Sequence, residues 1–509
     1  MKFGRSQSSA LNFISSFGLT FVTFSTAMVS SRLVLSEIGD ERFGAFRSLF
    51  ELFGYLNLFD AGLSASLRPM LAQAISQNQP QRLQRILFLA RKSYLIGMLL
   101  AILIGLVFTG FITHFIPVSH QSRLDLKIGS LIFSIGLVNI WFGPTRTICE
   151  SLQRSFLLNL LLIVQSLCIT FTTMFFCIQF PLWGISAQAL SVIFWVSFFN
   201  VVLKFVVARL HPDISNSTTQ DSEIAQPNDS QNKLFHNSRD SFILMLAGRA
   251  SLQSNSIVLG LFAGQSDVTK LYATQRLFDV VQSQLFAVGS ASWAALAEIY
   301  HQNQLDLFRT RVTQLVRLIL VMAFATVIPV VCFNENFIAL WVGSERYGGQ
   351  QLSILLAGNT FALAFTVFST WCLTGTGHLN SIVRMTICTT ILDVVSTLGF
   401  TWAFGLIGPV LGSFLAFYFC AIPWHVRLLR SQFQITSPDL LKAVSAPFLL
   451  AIPYTLLILV LKKQVPIDGW IYLAIAMVGP VTSYLITASL FVLNREDRQV
   501  LLKRFGIVR

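Results

Sequence analysis

Charged residues are scarce in this sequence, and acidic residues are scarcer than basic ones. Asp, Glu, Lys and Arg make up 12% of the 509 residues, with 23 acidic and 36 basic side chains, whereas 54% of the residues are hydrophobic and Phe alone occurs 46 times. A soluble chain of this length cannot bury so much apolar surface beneath so few polar side chains. The composition therefore excludes a soluble globular protein and indicates a membrane protein.

Motifs for metal, disulfide and nucleotide sites are also lacking. The seven cysteines lie in or beside apolar segments, and no two of them form a CxxC pair. We therefore expect them to pack as small apolar side chains and not to bind a metal. No GxxxxGK[ST] motif occurs, so we expect neither a nucleotide cofactor nor energy from nucleotide hydrolysis. The net charge of +13 does not predict binding to nucleic acid, because the basic residues flank apolar segments and favour contact with anionic membrane lipid.

Apolar segments long enough to cross a bilayer recur along the whole chain. About 20 helical residues cross the roughly 30 Å of hydrocarbon. Helices are expected because backbone groups in lipid must pair within the segment, and the alternating pattern of membrane strands is absent. We predict an all-α polytopic membrane protein with about fourteen transmembrane helices. The predicted spans are 10–35, 43–67, 93–112, 128–149, 156–178, 184–208, 241–263, 271–299, 312–333, 351–374, 381–403, 407–428, 441–461 and 470–493.

The distribution of Lys and Arg predicts the orientation of these spans. Cytoplasmic connections of membrane proteins carry an excess of basic residues. Most of the 36 basic residues fall on one side if both termini are placed there. We therefore expect both termini to be cytoplasmic.

One polar stretch, at 210–240, divides the chain. It is rich in Ser, Asn, Gln and Asp and cannot bury a core, so it predicts a flexible cytoplasmic linker. It separates an amino-terminal six-helix bundle at 1–209 from a carboxyl-terminal six-helix bundle at 241–430. Two additional transmembrane helices and a cytoplasmic tail follow at 431–509.

The two bundles share short sequences in the same order. LAQAISQNQ at 71–79 returns as LAEIYHQNQ at 296–304, and FPLWGISAQAL at 180–190 returns in weaker form as TWAFGLIGPVL at 401–411. Because each half has an even number of spans, these repeats predict two parallel six-helix repeats plus two C-terminal helices. Duplicated bundles of this kind are typical of secondary transporters.

Several motifs resemble those of one transporter family. Phe43-Gly44 lies in the first outer loop, Asp60-Ala61-Gly62-Leu63 lies late in the second span, and the carboxyl half contains LWVGSERYGGQQLSILLAG at 340–358, LTGTGHLN at 373–380 and FGLIGPVLGS at 404–413. In order and spacing they resemble the polysaccharide-exporter branch of the multidrug/oligosaccharidyl-lipid/polysaccharide flippase superfamily. One departure is the sequence Ser292-Trp293-Ala294-Ala295, where that family often has a proline at the end of its eighth helix.

This resemblance implies a flippase rather than an enzyme. Members of the branch move polyprenyl-pyrophosphate-linked oligosaccharide from the cytoplasmic to the periplasmic leaflet of the bacterial inner membrane, for O-antigen, capsule or exopolysaccharide assembly. The expected partners are the lipid-linked oligosaccharide, membrane lipid, and a polysaccharide polymerase with its glycosyltransferases. A pyrophosphate and a sugar chain cannot cross hydrocarbon unaided, whereas the polyprenyl tail stays in lipid throughout.

Charged residues inside the spans are the candidate functional residues, because each costs about 2.5 to 3.5 kcal/mol at a helix centre unless it faces a cavity or a partner. Arg249 and Arg276 are the candidates for binding the pyrophosphate, since guanidinium groups pair with phosphate oxygens and keep their charge. Glu51, Asp279 and Asp393 are candidates for a gate or for ion coupling. The structural alternative is local pairing, of Arg47 with Glu51 and of Arg276 with Asp279.

Two other functions share this hydropathy. A multidrug or cation antiporter of a sibling branch has the same twelve-helix core, although the two extra spans favour the polysaccharide branch. An integral-membrane glycosyltransferase or ligase uses the same kind of substrate, but such enzymes carry catalytic residues on a large outer loop and the outer connections here are short. The tryptophans Trp141, Trp195, Trp293 and Trp371 are possible sugar-stacking platforms, with lipid or interfacial contact as the alternative that we favour.

Overall fold

The computed structural model describes residues 5–60, 67, 70–71, 79–151, 155–210, 244, 246–248, 254–464, 467 and 469–492. The described residues form helices and turns without a β-strand. They divide into two compact units, Met1–Thr269 (unit 1) and Lys270–Arg509 (unit 2). The helices are α1 Arg5–Leu56, α2 Pro80–Phe115, α3 Arg123–Gly136, α4 Gly143–Ser151, α5 Ser155–Gln179, α6 Gly184–Leu210, α7 Gln265–His301, α8 Leu305–Trp341, α9 Gln350–Gly375, α10 Leu379–Phe404, α11 Gly408–Ala416, α12 Ile422–Phe433, α13 Ser437–Gln464 and α14 Trp470–Phe491.

The predicted all-α polytopic architecture is confirmed. Within the described ranges, ten helical segments are long and apolar enough to cross a membrane. One of them belongs to α1, which is interrupted at Gly39 (φ 79°, ψ 170°) between the first and second predicted spans. A positive φ is accessible to glycine because it has no Cβ. The count of fourteen spans stays a prediction, and the linker at 210–240 lies almost wholly outside the described residues.

Unit 1 is held together by apolar side chains that face inward from α1, α2, α3 and α6. Leu49, Phe53, Tyr94, Phe133 and Ile185 belong to one buried cluster, and the rings of Phe53 and Phe133 stack with their centroids 5.5 Å apart. The outward faces are apolar too. In a membrane protein such faces contact lipid, so they need no polar cover.

In unit 2, helix α8 packs against α9, α13 and α14. Its buried face includes Phe333, Phe337 and Trp341. The predicted twelfth span, 407–428, is an interrupted helix, in which α11 passes through a π-helical turn, Phe417–Ala421, into α12. Pro423 lies in the first turn of α12, where its missing N–H is tolerated but the regular helix cannot continue unchanged across it.

The repeated phrase marks an equivalent position in both units. Gln79, its last residue in the first copy, is the N-cap of α2, and Gln304, its last residue in the second copy, is the N-cap of α8. Just before Gln304, Asn303 has a left-handed conformation (φ 60°), which asparagine tolerates better than most residues. In the second copy the phrase therefore contains the turn between α7 and α8. Residues 72–78 of the first copy lie outside the described ranges.

Candidate functional site

The exposed face of α7 is unusually polar for a helix of this length. Its 37 residues give it a length of about 56 Å, more than enough to cross a bilayer, yet it is not among the ten apolar segments. From residue 280 to the end of α7, the exposed described side chains are Ser283, Gln284, Ala287, Ser290, Ala291, Trp293, Ala295, Glu298 and His301. No Leu, Ile, Val or Phe is among them.

Helix α2 shows the opposite pattern. Its exposed side chains include Leu103, Val107 and Phe111, the last of which is 59% exposed. A face of this composition contacts lipid, whereas a face of serine, alanine and charged residues would lose its hydration there. The exposed side of α7 is therefore better suited to contact with water than with lipid.

Arg276 and Asp279 continue this face toward the start of α7. Both are partly exposed, and the guanidinium carbon of Arg276 lies 5.8 Å from the centroid of the Tyr272 ring. This contact has cation–π geometry, which orients the guanidinium without neutralising it. Beside this face, the partly buried Gln282 donates to the hydroxyl of Thr360 on α9 (3.0 Å). This contact between the two helices helps to fix the rotation of α7 and hence which side chains it exposes.

In unit 1, Arg47 and Glu51 lie one turn apart on the second half of α1. Nη2 of Arg47 donates to Oε1 of Glu51 at 3.3 Å, so the predicted i,i+4 contact is present. Glu51 is 8% exposed. The guanidinium carbon of Arg47 also lies 5.8 Å from the ring centroid of Phe50. Arg47 therefore places a positive charge directly beside this largely buried carboxylate.

Next to this pair, α1 approaches the first turn of α7, which belongs to unit 1. A Cβ added to Gly44 would lie 1.9 Å from the carbonyl oxygen of Gln265, so only glycine permits the approach. Ser48 donates to Oε1 of Gln265 (2.9 Å), and Thr269 donates to the carbonyl oxygen of Asp40 (2.8 Å). Gly44 of the Phe43-Gly44 motif therefore allows the start of α7 to pack closely on α1.

Asp393 lies in a seam of oxygen atoms between α10 and α11. It is 1% exposed, and the hydroxyl of Thr397, one turn further along α10, is 3.4 Å from its Oδ1. The same hydroxyl is 3.4 Å from the carbonyl oxygen of Pro409. A buried carboxylate with hydroxyl and carbonyl neighbours is suited to a proton or a hard cation.

A polar network in unit 1 was not among the residues that the sequence pointed to. Nε and Nη2 of Arg146 both donate to Oδ1 of Asn200, at 3.1 and 2.8 Å, and Asn200 donates to Oδ1 of Asn139 (2.7 Å). Asn139 donates in turn to the hydroxyl of Ser197 (2.9 Å). Arg146 lies near the end of a predicted span, where an arginine usually indicates topology. The sequence indicates this network only through helical spacing. Asn139 and Arg146 are seven residues apart, and Ser197 and Asn200 are three residues apart, so each pair lies on one side of its helical segment.

The predicted site residues thus lie in different elements. The structure places Glu51 beside Arg47 in unit 1, Arg276 and Asp279 on the exposed side of α7, and Asp393 in the seam between α10 and α11. Arg249 lies outside the described residues. Residues 61–63 of the Asp-x-Gly-Leu motif also lie outside them. In the described part of the chain, no group of three His, Cys, Asp or Glu side chains is arranged to hold a metal ion.

Comparison with known proteins identifies the fold. No protein-family profile matches the sequence, and no curated protein sequence matches it. Among solved structures, the lipid II flippase MurJ in an inward closed conformation covers 94% of this chain and 98% of its own, with a TM-score of 0.71 and 12% identity. An inward-facing multidrug resistance MATE family transporter of the MOP superfamily covers 82% of this chain and 96% of its own, with a TM-score of 0.66 and 14% identity. A MATE structure in complex with MaL6 covers 84% of this chain and 97% of its own, with a TM-score of 0.60 and 14% identity. The chain therefore has the fold that MurJ shares with the MATE transporters.

Proposed function

We propose that this protein is a flippase that moves a polyprenyl-pyrophosphate-linked oligosaccharide across the bacterial cytoplasmic membrane by alternating access. The observation that carries the proposal is the polar exposed face of α7, in a fold that matches a lipid II flippase over 94% of the chain. A polar saccharide needs such a face, since it cannot leave water for hydrocarbon without losing its hydrogen bonds. The polyprenyl tail needs no such path.

The coverage of the comparisons also favours a lipid-linked cargo. The flippase aligns with 94% of the chain and the MATE structures with 82 and 84%. The additional part of the chain that aligns with the flippase is similar in length to α13 and α14 together. These helices correspond to the two additional spans that the sequence predicted beyond the twelve-helix core. We propose that the protein lies in the cytoplasmic membrane with both termini in the cytoplasm, because most Lys and Arg residues fall on that side of the predicted spans. We propose a polysaccharide polymerase and glycosyltransferases as partners, because the sequence motifs resemble those of the polysaccharide-exporter branch.

Arg276 and Arg249 are the residues proposed to bind the pyrophosphate. Arg276 lies at the same face as Ser283 and Ser290, and its contact with Tyr272 leaves its charge in place. A guanidinium offers paired donors to phosphate oxygens at fixed angles, which an ammonium does not. Arg249 is proposed on the sequence alone, as a second cation in the same cargo path.

The acidic residues are proposed to gate transport or couple it to an ion. Asp393 is the stronger candidate for coupling, because the seam around it combines a carboxylate with the hydroxyl of Thr397 and the carbonyl oxygen of Pro409. Binding of a proton or a monovalent cation there would change the charge of the seam and its packing. Glu51 and Asp279 are proposed as gate residues, which pair with cations in one conformation and release them in another.

Reconstitution in liposomes tests the function. A fluorescent polyprenyl-pyrophosphate-linked oligosaccharide is placed in both leaflets, and its movement is followed by the loss of fluorescence to a membrane-impermeant quencher. We expect facilitated movement with the wild type and roughly tenfold slower movement with Arg276→Ala, because a lost charge-assisted contact to phosphate is worth about 1.5 to 3 kcal/mol. Arg276→Lys tests the need for paired donors, and Arg427→Ala, at an exposed arginine in the middle of α12, is the matched control.

The second candidate function is a cation antiporter, which the buried Asp393 and the likeness to MATE transporters favour. The same liposomes distinguish the two. If the wild type moves no lipid-linked sugar and instead exchanges an organic cation for protons or Na⁺, the flippase proposal is wrong. If sugar-lipid movement depends on an ion gradient and Asp393→Asn removes only that dependence, both the flippase function and the coupling role of Asp393 are supported.

A further inference from the structure

Two tryptophans of unit 2 form a joined aromatic surface. The indole rings of Trp293 on α7 and Trp371 on α9 have centroids 6.1 Å apart and planes 26° from parallel. Rings that stack directly above one another lie closer than this, so the two indoles are displaced sideways. Together they extend over a wider area than either ring alone.

Glycines on the facing helices make room for both rings. A Cβ on Gly289 of α7 would lie 2.9 Å from Cδ1 of Trp371, and a Cβ on Gly375 of α9 would lie 3.3 Å from Cε3 of Trp293. Each indole therefore lies close to the backbone of the opposite helix. Two glycines in register with two tryptophans, on two helices, give a rigid surface in which neither ring has room to turn freely.

The surface lies at the edge of the polar face of α7. Trp293 is 38% exposed and follows Ser290 by three residues, which places it beside that serine on the helix surface. Trp402, by contrast, is 78% exposed on α10, where its exposed neighbours are Leu398 and Phe404. Trp402 has the setting of a lipid-facing side chain. Trp293 has an aromatic face next to hydroxyl groups, which is the setting that a sugar ring requires.

We propose that Trp293 and Trp371 form a subsite for the saccharide part of the lipid-linked cargo. The inference rests on the proposed function and adds a location for the sugar. Sugar rings present C–H groups on one face and hydroxyls at the edge, so they pack on an aromatic surface while their hydroxyls bond to groups such as Ser290. Trp293 follows Arg276 by 17 residues, or about 26 Å along the helix, so the subsite contacts sugars distant from the pyrophosphate.

Transport of two cargoes tests the subsite. One is a polyprenyl pyrophosphate that carries an oligosaccharide, and the other carries a single sugar. We expect Trp293→Ala and Trp371→Ala to slow the oligosaccharide lipid about tenfold, in line with the loss of an aromatic contact, and to leave the single-sugar lipid unchanged. Trp293→Phe keeps an aromatic face and should retain part of the rate. Trp402→Ala is the matched control, and thermal unfolding in detergent shows whether each variant is folded.

The outcomes separate this inference from the proposed function. Equal slowing of both cargoes, or slowing of neither, overturns the subsite while the flippase function stands. If the wild type moves neither lipid, the flippase proposal fails, and the subsite is then judged by binding of the free oligosaccharide to the protein in detergent, followed by tryptophan fluorescence. Quenching that Trp293→Ala abolishes and Trp402→Ala does not supports a saccharide site. No quenching in the wild type overturns it.

Discussion

The hydroxyl of Tyr454 donates a hydrogen bond to the carbonyl oxygen of Ala325, at 2.9 Å. Ala325 lies four residues before Pro329 inside α8, so its carbonyl is the one that the missing N–H of the proline leaves without a helical donor. The tyrosine comes from α13. Helix α13 thus completes the hydrogen bonding of α8.

Tyr454→Phe should therefore destabilise unit 2. The variant keeps the ring, which contacts Tyr484 with 4.6 Å between centroids, and removes only the hydroxyl. An unsatisfied buried carbonyl costs about 1 to 3 kcal/mol, to be measured as the free energy of unfolding in mixed micelles. In a Pro329→Ala background the backbone N–H returns, so the same substitution should cost much less. An equal cost in both backgrounds would contradict the role given to Tyr454.

Gly44→Ala should prevent α1 from packing on the start of α7. The added Cβ would lie 1.9 Å from the carbonyl oxygen of Gln265, which is backbone and cannot rotate away. We expect a loss of stability of about 1 to 3 kcal/mol, the usual cost of overpacking, seen as a lower unfolding temperature. Gly110→Ala is the control, because nothing lies within 4 Å of its Cβ position. A Gly44→Ala protein as stable as this control would show that the contact yields easily.

Asp125→Asn should weaken the attachment of α3 to α6. The buried carboxylate accepts from the backbone N–H groups of Ile185 and Ser186, both at 2.8 Å, and from the Ser186 hydroxyl at 2.6 Å. An amide replaces one acceptor with a donor that faces other donors. Because hydrogen bonds to a charged group contribute about 1.5 to 3 kcal/mol, we expect a loss in that range, measured by denaturant unfolding in detergent.

Two further variants calibrate the Asp125 measurement. Ser186→Ala removes one donor and should cost about 1 kcal/mol. Glu298→Gln, at an exposed position of α7, should change the unfolding free energy by less than about 0.5 kcal/mol. If Asp125→Asn is as mild as Glu298→Gln, the carboxylate does not stabilise the beginning of α6.

Glu51→Gln tests the proposed gate. If Glu51 exchanges partners during transport, the variant should move the lipid-linked cargo roughly tenfold more slowly, a change of about 1.4 kcal/mol in the barrier. Its unfolding temperature should stay close to that of the wild type. Arg47→Gln is combined with it in a double variant. Recovery of transport in that double variant would contradict the gate, because a purely structural ion pair is dispensable once both charges are gone.

Sequence periodicity and length predicted the helices well, because a segment of hydrophobic residues in lipid has few alternatives to a helix. The interruption at Gly39 lies where the first two spans were separated, and the repeated phrase ends at the N-cap residues Gln79 and Gln304. The sequence also identified the charged candidate residues, because a charged residue within a predicted span can be recognised from the sequence alone. Their partners were visible only when they were one turn apart, as with Arg47 and Glu51.

Contacts between distant segments were not predictable in this way. Arg146 and Asn200 are 54 residues apart, and Gly44 and Gln265 are 221 apart; neither pair has a common local pattern. For Trp293 and Trp371 the sequence left both sugar stacking and lipid or interfacial contact open and favoured the latter, because no local pattern shows which way a tryptophan within a span points; their contact with each other is seen only in the structure. The side of α7 that it exposes depends on how Gln282 and its neighbours pack against α9.

The sequence by itself determined that this chain is a helical membrane protein, because composition and periodicity act locally on every segment. Tertiary structure decided which side of each helix is buried and which is exposed. That choice depends on the rotation of each helix about its axis, which is set by packing between segments far apart in the chain. The polar face of α7, the seam at Asp393 and the paired tryptophans all follow from that packing.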